Sequence, residues 1–252
     1  MYDYYLGGKD HFPADRKAAE KVIASYPRTR ALALENRRFL ERAVEFLASQ
    51  GIRQFVDLGT GLPTWPNVHE VAQSIQSDAR VAYVDNDPVV AVHGRVLCDG
   101  EDKITMIDGD IRQPQAILAD PELTNLIDLS EPVAFLCVAV LHFITEDENP
   151  REIAAELRRQ MAPGSYLVIS HAATDGADKR VVRQITDVYA GATAPAVPRA
   201  ESAIRDLFTG LDLAEPGLTD VAQWRCALPS DTGNIRILGG AGMKPLHGAA
   251  AP

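Results

Sequence analysis

The sequence has few cysteines, no long apolar run and fewer basic than acidic residues. Its three cysteines, Cys98, Cys137 and Cys226, form no closely spaced pair, which argues against a disulfide framework and fits a reducing compartment. The longest apolar run, 133–141, has nine residues, about half of what a membrane helix needs. The N-terminus lacks the apolar core of a signal peptide. The expected location is the cytoplasm.

The charge balance also excludes classes of partner. The 252 residues include 25 Lys and Arg against 35 Asp and Glu, a formal net charge of −10. Such a surface repels phosphate backbones, so we expect neither a nucleic-acid nor a membrane partner. The six histidines show no close pairing with cysteines or acids, so no metal site is expected.

The first fifty residues are typical of helices after an irregular opening. The composition predicts one helix over 15–25, interrupted by Pro27, and a longer one over 29–49. Apolar residues in the longer segment recur at three- and four-residue steps, which gives one apolar face. Gly51 is well placed to end it.

From residue 54 onward, predicted strands alternate with predicted helices. This alternation favours an α/β fold, a parallel sheet with helices on both faces. A final hairpin is expected within 211–239, and the tail after Met243 is expected to fray. The strands are predicted at 54–58, 80–84, 104–107, 133–141 and 166–170, and the helices at 67–76, 88–98, near 117, and at 149–161, 178–190 and 201–208.

A glycine turn follows the first predicted strand. Gly59 and Gly61 allow a tight turn and close approach of a ligand to the backbone. Asp57 precedes them, which suits a ligand with a positive amino group better than a pyrophosphate. Pro63 also departs from the GxGxxG spacing of dinucleotide sites. An NAD-dependent oxidoreductase is therefore the weaker alternative.

Further polar residues follow the next strands, where open parallel sheets bind ligands. Asp85 ends the second strand, and its carboxylate can accept hydrogen bonds from vicinal ribose hydroxyls. An acid at this place can instead act as the N-cap of the next helix, and Asp87 before Pro88 fits that role. Asp110 follows the third strand and can accept a hydrogen bond from an adenine amino group. The buried strand leading into Val140 is expected to floor the pocket.

In this order of motifs the sequence resembles the class I S-adenosylmethionine-dependent methyltransferases. The spacings agree with that superfamily: 85 − 57 = 28 residues and 110 − 85 = 25 residues. More narrowly, it resembles the actinobacterial S-adenosyl methyltransferase family, formerly a domain of unknown function. The resemblance covers almost the whole chain and is carried by residues 2–16, 57–64, 84–88 and 194–195. The chain begins inside the first of these segments, which leaves open whether native residues precede Met1.

The resemblance implies S-adenosyl-L-methionine as cofactor and a Rossmann-like, seven-stranded, mostly parallel sheet with an antiparallel last strand. It also implies a helical extension or lid over 1–50 and a methyltransferase domain over 51–245, compact together as one domain. Carried over by position, the resemblance assigns three groups of residues to the cofactor. The methionine portion is bound by Gly59, Thr60 and Gly61, the ribose by Asp85 with its neighbour Asn86, and the adenine by Asp110 and Ile111.

The same resemblance makes residues 2–16, including Tyr5 and Gly8, a lid over the cofactor. The alternative is an arm that only packs against the sheet. Arg30, Asn36 and Arg37 on the following helix either reach the cofactor carboxylate or are solvated helix residues.

Methyl transfer needs little covalent help, so a general base is required only if the acceptor must lose a proton. His142 and His171 follow the fourth and fifth strands and are candidate bases, with hydrogen-bonded structural histidines as the alternative. Tyr5, Tyr189 and Trp224 are candidate pocket walls or ordinary core residues.

The leading interpretation is a methyltransferase that acts on an unidentified small molecule. Because no catalytic acid or base stands out, a non-catalytic regulatory module that binds S-adenosylmethionine or S-adenosylhomocysteine is the alternative. The oligomeric state stays open.

Overall fold

The computed structural model describes residues 1–192 and 194–246. Within these ranges the chain forms one mixed sheet surrounded by helices. The strands are β1 (Gln54–Leu58), β2 (Arg80–Asp85), β3 (Ile104–Asp108), β4 (Ala134–Val138), β5 (Tyr166–Ala173), β6 (Asp212–Leu213), β7 (Thr219–Asp220) and β8 (Arg236–Met243). The helices are α1 (Tyr2–Leu6), α2 (Pro13–Ser25), α3 (Thr29–Ser49), α4 (Val68–Ile75), α5 (Pro88–Cys98), α6 (Pro114–Leu118), α7 (Pro121–Leu126), α8 (Pro150–Gln160), α9 (Lys179–Tyr189) and α10 (Glu201–Asp206), with a short 3-10 helix at Leu141–Phe143.

The sheet has the strand order β3-β2-β1-β4-β5-β8-β6, and β7 also pairs with β8. Strands β1 to β5 are parallel, whereas β8 runs antiparallel to β5. The predicted α/β class with an antiparallel last strand is confirmed. The described strands number eight instead of seven, because β6 and β7 are two short pieces along the same outer edge of β8.

The strand order reverses between β1 and β4, which lie side by side although two strands separate them in sequence. At such a switch point the connections leave in opposite directions and open a crevice beyond the carboxyl ends of the strands. The loops after β1, β2, β3, β4 and β5 all reach this edge. The fold therefore gathers the residues that follow these five strands.

The core lies on both faces of the sheet, since the central strands β1 and β4 are almost wholly buried. On one face, α3 presents Phe39 to the sheet, where its ring meets that of Trp224 edge-on at 5.2 Å. Both side chains are fully buried. Gly239 leaves the space that Phe39 fills, because a Cβ there would lie 2.7 Å from the Phe39 ring.

The N-terminal helices agree with the periodicity except at the start. Helix α3 spans the predicted 29–49, and α2 begins two residues before the predicted 15. The predicted irregular opening is wrong, because residues 2–6 form α1, which ends where Gly7 adopts a φ of 85°. Helix α3 shares an apolar cluster with the sheet. The boundary at residue 50 stays a prediction.

The fourth strand is shorter than its apolar run predicts. It ends at Val138 instead of Leu141, because Ala139 takes the left-handed conformation with a φ of 56°. The 3-10 helix follows at once. The cysteines are free thiols, and Cys137 in β4 is the buried one. Thr193, within the predicted loop 191–198, and residues 247–252 of the tail lie outside the described residues.

Candidate cofactor and acceptor site

The turn after β1 requires glycine. Gly59 and Gly61 have φ values of 72° and 67°, in the left-handed region. The backbone N–H groups of Gly59 and Thr60 both donate to the carbonyl of Val84, at 2.8 and 3.1 Å. A Cβ on Gly59 would lie 2.5 Å from Cγ2 of Val140. The glycine turn thus packs directly against the residue predicted to floor the pocket.

Asp57 is a buried carboxyl beneath this turn. Its Oδ2 accepts a hydrogen bond from the hydroxyl of Thr60 at 2.8 Å. Burial raises its pKa to about 6, although the Thr60 bond and the charge of Arg37 act in the opposite direction. Asp57 therefore holds a negative charge poorly unless a cation joins it.

Arg37 on α3 ties this region to the helix. Its Nη2 donates to the carbonyls of Thr64 and Pro66, in the loop that carries the exposed Trp65. Its Nε is buried and has no hydrogen-bond partner among the described residues, with the Glu41 carboxylate 3.8 Å away. A buried guanidinium donor without a partner is costly, so a ligand carboxylate that reached this enclosed N–H would relieve that cost.

Asp85 closes the loop between β1 and β2. Its Oδ2 accepts from the backbone N–H of Gly61 at 2.8 Å, and its Oδ1 accepts from that of Asp87 at 2.9 Å. Burial raises its pKa in spite of these bonds. Each carboxylate oxygen can accept a second bond, so the pair stays available to two hydroxyls. Asp87 caps α5 through Val89 N, as the sequence predicts.

Asp110 lies at the same edge beyond β3 and is already engaged. Its two oxygens accept from Arg112 at 2.6 to 3.0 Å, and Arg112 also pairs with Glu148 at 2.9 Å. Burial raises the pKa of Asp110, but Arg112 outweighs it and holds the pKa below its usual value. Ile111 beside it is buried, whereas Asn86 is exposed.

The N-terminal helix packs over α3 and is linked to the sheet by a hydrogen-bond network. The hydroxyl of Tyr2 donates to the Ala33 carbonyl at 3.0 Å and accepts from Asn36 Nδ2 at 2.9 Å. Asn36 Oδ1 accepts from Ser170 Oγ at 2.6 Å, and Ser170 Oγ accepts from the N–H of Ala139 at 2.9 Å. The segment predicted as a lid is thus connected to the end of β4.

Tyr5 and Gly8 lie in the same segment. Tyr5 is buried, and its hydroxyl has no hydrogen-bond partner of good geometry in the described part of the chain. Burial raises its pKa, and the nearby phenol of Tyr189 on α9 adds to the rise. Gly8 turns the chain back, with its N–H donating to Asp3 O at 2.9 Å. Trp224, a candidate pocket wall in the sequence, lies in the core instead.

The loops after β4 and β5 bring the two histidines together. The rings of His142 and His171 meet edge-on with centroids 5.5 Å apart. Arg199, which is 7% exposed, donates to His171 Nε2 at 2.9 Å. Burial, together with the charge of Arg199, lowers the pKa of His142 to about 3 and that of His171 to about 4. Both rings are neutral at neutral pH.

Sequence reasoning missed Arg199 and Ser170. Arg199 lies between the predicted loop 191–198 and the predicted helix 201–208, and the partners that it joins to the loops after β4 and β5 are 28 to 58 residues away along the chain. Ser170 ends the predicted fifth strand, and the one available signal was its place beside His171 at the carboxyl edge. Neither has a motif of its own.

The described residues also line two surface cavities. One of about 230 Å³ is lined by Asp220, Ser230, Asp231 and Arg236 among others, and one of about 130 Å³ lies beside Arg112 and Glu148. Within residues 1–192 and 194–246, no three His, Cys, Asp or Glu side chains are grouped as metal ligands. No helix in these ranges has the length and apolar character to cross a membrane.

Comparisons with known proteins agree with this architecture. The model of a family described as S-adenosyl methyltransferase matches residues 1–245. A DUF574 family protein from Streptomyces avermitilis is 36% identical, with a TM-score of 0.92 over 97% of this chain and 95% of that one. A candidate methyltransferase from Thermobifida fusca is 38% identical, also with a TM-score of 0.92, over 97% and 93% of the two chains.

More distant structures share the fold alone. The N-methyltransferase NodS from Bradyrhizobium japonicum is 15% identical, with a TM-score of 0.51 over 83% of this chain and 97% of that one. No curated protein matches the chain.

Proposed function

The chain belongs to the S-adenosyl methyltransferase family, and on that premise we propose that it transfers a methyl group from S-adenosyl-L-methionine to a small-molecule acceptor at the carboxyl edge of β1 to β5. The observation that carries the proposal is the meeting of the glycine turn with Asp85, through the bond from Gly61 N–H to Asp85 Oδ2 at 2.8 Å. This contact joins a backbone cradle to a carboxylate with two free lone pairs. That combination suits a ligand with an amino acid at one end and a ribose in the middle.

The methionine end of the cofactor is assigned to the first turn. Gly59, Thr60 and Gly61 wrap it, with room beside Gly61, where a Cβ would meet no described residue other than its chain neighbours within 4 Å. The buried carboxylate of Asp57 faces the amino group, whose charge would restore the ordinary ionisation of that carboxyl. The unpartnered Nε of Arg37 is assigned to the cofactor carboxylate. The two ends of the amino acid thereby meet opposite charges.

The nucleoside end follows along the same edge. Asp85 accepts hydrogen bonds from the two ribose hydroxyls, with Asn86 beside it. Asp110 accepts a hydrogen bond from the adenine amino group through a carboxylate lone pair that Arg112 does not use. Ile111 packs against the adenine ring. Val140 floors the pocket, while Tyr5 and Gly8 belong to the segment that covers it.

The chain's contribution to the reaction is to bind, to orient and to exclude water. The bound cofactor supplies an electrophilic methyl group activated by its sulfonium. The turn packed on Val140 sets the position of the methionine end, and alignment of this kind is the main source of rate in methyl transfer. Helix α1, tied down through Tyr2 and Asn36, closes the site against water.

The acceptor is proposed to be a small molecule. A net charge of −10 disfavours a nucleic-acid substrate. The loops after β4 and β5 are also covered by neighbouring segments, with Tyr189 of α9 against Phe143 at 5.7 Å between ring centroids. A covered site suits a compact acceptor.

The test is calorimetric titration with S-adenosylhomocysteine. Asp85→Ala removes two bonds to a charged acceptor, each worth about 1.5–3 kcal/mol, so affinity should fall about 100-fold or more. Asp87→Ala is the matched control: it loses the α5 cap, which costs about 1 kcal/mol of stability, and should leave affinity within about twofold. Unchanged affinity in Asp85→Ala would refute the assignment.

Titration with adenosine separates the two ends of the site. Arg37→Met should weaken S-adenosylhomocysteine by about tenfold or more and adenosine much less, because only the former carries a carboxylate. Arg38→Met, which removes a neighbouring and half-exposed arginine paired with Glu35, is the control. Equal losses for both ligands in Arg37→Met would show that this arginine acts only through the loop it holds.

A further inference from the structure

Arg199 is a buried guanidinium that organises the loops after β4 and β5. Its Nη1 donates to the carbonyl of Leu141 at 3.1 Å and its Nη2 to that of Ile144 at 2.7 Å. Its Nε donates to the exposed carboxylate of Glu146 at 2.8 Å. A guanidinium has N–H donors and no acceptor. Every group that meets Arg199 must therefore present a lone pair.

This one-way donation determines the tautomer of His171. Arg199 Nη1 lies 2.9 Å from His171 Nε2, so that nitrogen carries the lone pair. The proton of the neutral ring then resides on Nδ1, which donates to the carbonyl of Ala172 at 2.8 Å. Both ring nitrogens of His171 are occupied, and the ring offers no free lone pair to a substrate.

The direction of donation passes on to His142. The N–H of Ala172 can only donate, and it lies 3.4 Å from His142 Nδ1. With a proton on that nitrogen, two N–H groups would face each other. The neutral ring of His142 consequently carries its proton on Nε2. This atom makes no hydrogen bond within the described ranges, and His142 is 8% exposed, so a narrow approach to the ring remains.

His142 also lies next to aromatic surface and close to the glycine turn. Its ring meets that of Phe143 edge-on at 4.5 Å, and Phe143 contacts Tyr189 at 5.7 Å. Val140, two residues before His142, is the residue against which Gly59 packs. The Nε2–H of His142 thus belongs to a segment that starts at the packing partner of the glycine turn and continues into two half-buried aromatic rings.

We infer that His142 is a specificity-determining residue that donates its Nε2–H to a hydrogen-bond-accepting oxygen or nitrogen of a flat aromatic methyl acceptor. Arg199 is the positioning residue that sets this polarity through His171. The inference rests on the proposed function, because it takes the acceptor to lie beside the methionine end of the cofactor.

The inference gives the histidines a role other than general base. Neither ring has a lone pair free, and burial together with the Arg199 charge lowers both pKa values. An acceptor atom that carries a proton would release it to water, while the acceptor lone pair forms the new bond to carbon and the carbon–sulfur electrons return to sulfur. An acceptor that is already deprotonated, such as a phenolate, needs no base.

The first test reads the tautomers directly. Long-range proton–nitrogen spectra of protein labelled with ¹⁵N-histidine should show His142 protonated on Nε2 and His171 on Nδ1 near neutral pH. Signals are assigned by their loss in His142→Gln and in His171→Asn. A proton on Nδ1 of His142 would overturn the inference, and this measurement does not depend on any variant's activity.

The second test compares the dissociation constants of 4-nitrophenolate and nitrobenzene in the presence of saturating S-adenosylhomocysteine. The two probes differ in one oxygen, which is charged and accepts hydrogen bonds. Wild type should prefer the phenolate by about tenfold, the value of one hydrogen bond to a charged group. His142→Phe should lose this preference, and His142→Gln, whose amide N–H occupies a similar place, should retain it. His93→Gln on α5 is the control and should leave the preference unchanged.

The outcomes separate the two proposals. If S-adenosylhomocysteine binds but wild type shows no preference, or His142→Phe keeps it, the acceptor inference is overturned and the proposed function stands. If S-adenosylhomocysteine does not bind, the proposed function fails, and the acceptor inference fails with it.

Discussion

The two sides of the crevice carry charges of opposite sign. They also differ in how far apart along the chain their hydrogen-bonded residues lie. The side formed by the loops after β1, β2 and β3, here called the carboxylate side, presents Asp57, Asp85 and Asp110. The side formed by the loops after β4 and β5, the guanidinium side, encloses Arg199 beneath two neutral histidines. On the first side the bonds span two or three residues for Asp57 and Asp110 and 24 for Asp85, whereas those of Arg199 span up to 58.

This difference shows how each side reaches its geometry. On the carboxylate side, the turns themselves place the acids, and each acid keeps capacity for a ligand. On the guanidinium side, one buried cation connects segments from β4, β5 and the loop before α10, and its donors are used within the protein. The first side is prepared to bind charge, whereas the second is prepared to present an oriented neutral group.

The largest expected effect on stability is the loss of Arg199 from the guanidinium side, compared with the loss of Arg112 from the carboxylate side. Arg199→Met leaves the carbonyls of Leu141 and Ile144 without donors and should cost about 3–5 kcal/mol of unfolding free energy. Arg112→Met removes ion pairs of a side chain that is 44% exposed, and should cost under about 1 kcal/mol. Urea denaturation measures both, with Arg199→Lys expected in between. Equal losses would remove the contrast.

A smaller effect is expected from a methyl group at the meeting point of the two sides. Gly59→Ala combines a φ of 72° with a contact of 2.5 Å to Val140, and should cost about 3 kcal/mol. Gly100→Ala has a φ of 80°, and a Cβ there would meet none of the described residues beyond its chain neighbours within 4 Å, so it should cost only about 1–2 kcal/mol. Val140→Ala should recover part of the first loss and none of the second, as a double-mutant cycle by denaturation would show.

The smallest effect concerns the pH dependence of Asp57. Its folded pKa of about 6 exceeds the ordinary value of 3.8, so between these values the folded state binds more protons than the unfolded state. Stability therefore falls as pH rises through this window. Asp57→Asn should flatten the fall and gain up to about 3 kcal/mol at neutral pH. A stability profile identical to wild type would show that Asp57 is not buried as described.

Ligand binding should show the reverse trend at the same group. The affinity of wild type for S-adenosylhomocysteine should rise as pH increases through 6, because ionised Asp57 attracts the amino group. Asp57→Asn should lose that rise. Calorimetry across this range, with the Asp87→Ala variant as control, measures it.

Much of the sheet could be predicted because local signals agree with the fold. Strand β1 lies at the predicted 54–58 and α3 at the predicted 29–49, where turn glycines and a single apolar face leave little choice. The end of β4 could not be predicted, because the apolar residues 139–141 continue the run while Ala139 turns out of the sheet. Strands β6 and β7 are too short to show a period.

The candidate site divides in the same way. The structure brings Asp57, Gly61 and Asp85 to one edge, as their positions after successive strands predict, and their roles remain proposals. The polarity of His142 could not be read from the sequence, because it depends on Arg199 through His171 and a peptide group. This series of hydrogen bonds forms only when the loop after β4, strand β5 and the segment that carries Arg199 have packed together.

The placement of the two tryptophans makes the molecule its own optical reporter. Trp224 is fully enclosed by the core, whereas Trp65 is 80% exposed on the loop that Arg37 holds beside the glycine turn. Their emission should therefore differ in colour and in access to a quencher such as acrylamide. Loss of the blue-shifted emission of Trp224 would report unfolding. A change in the quenching of Trp65 would report occupation of the neighbouring turn. One fluorescence sample can therefore distinguish a variant that fails to fold from one that fails to bind.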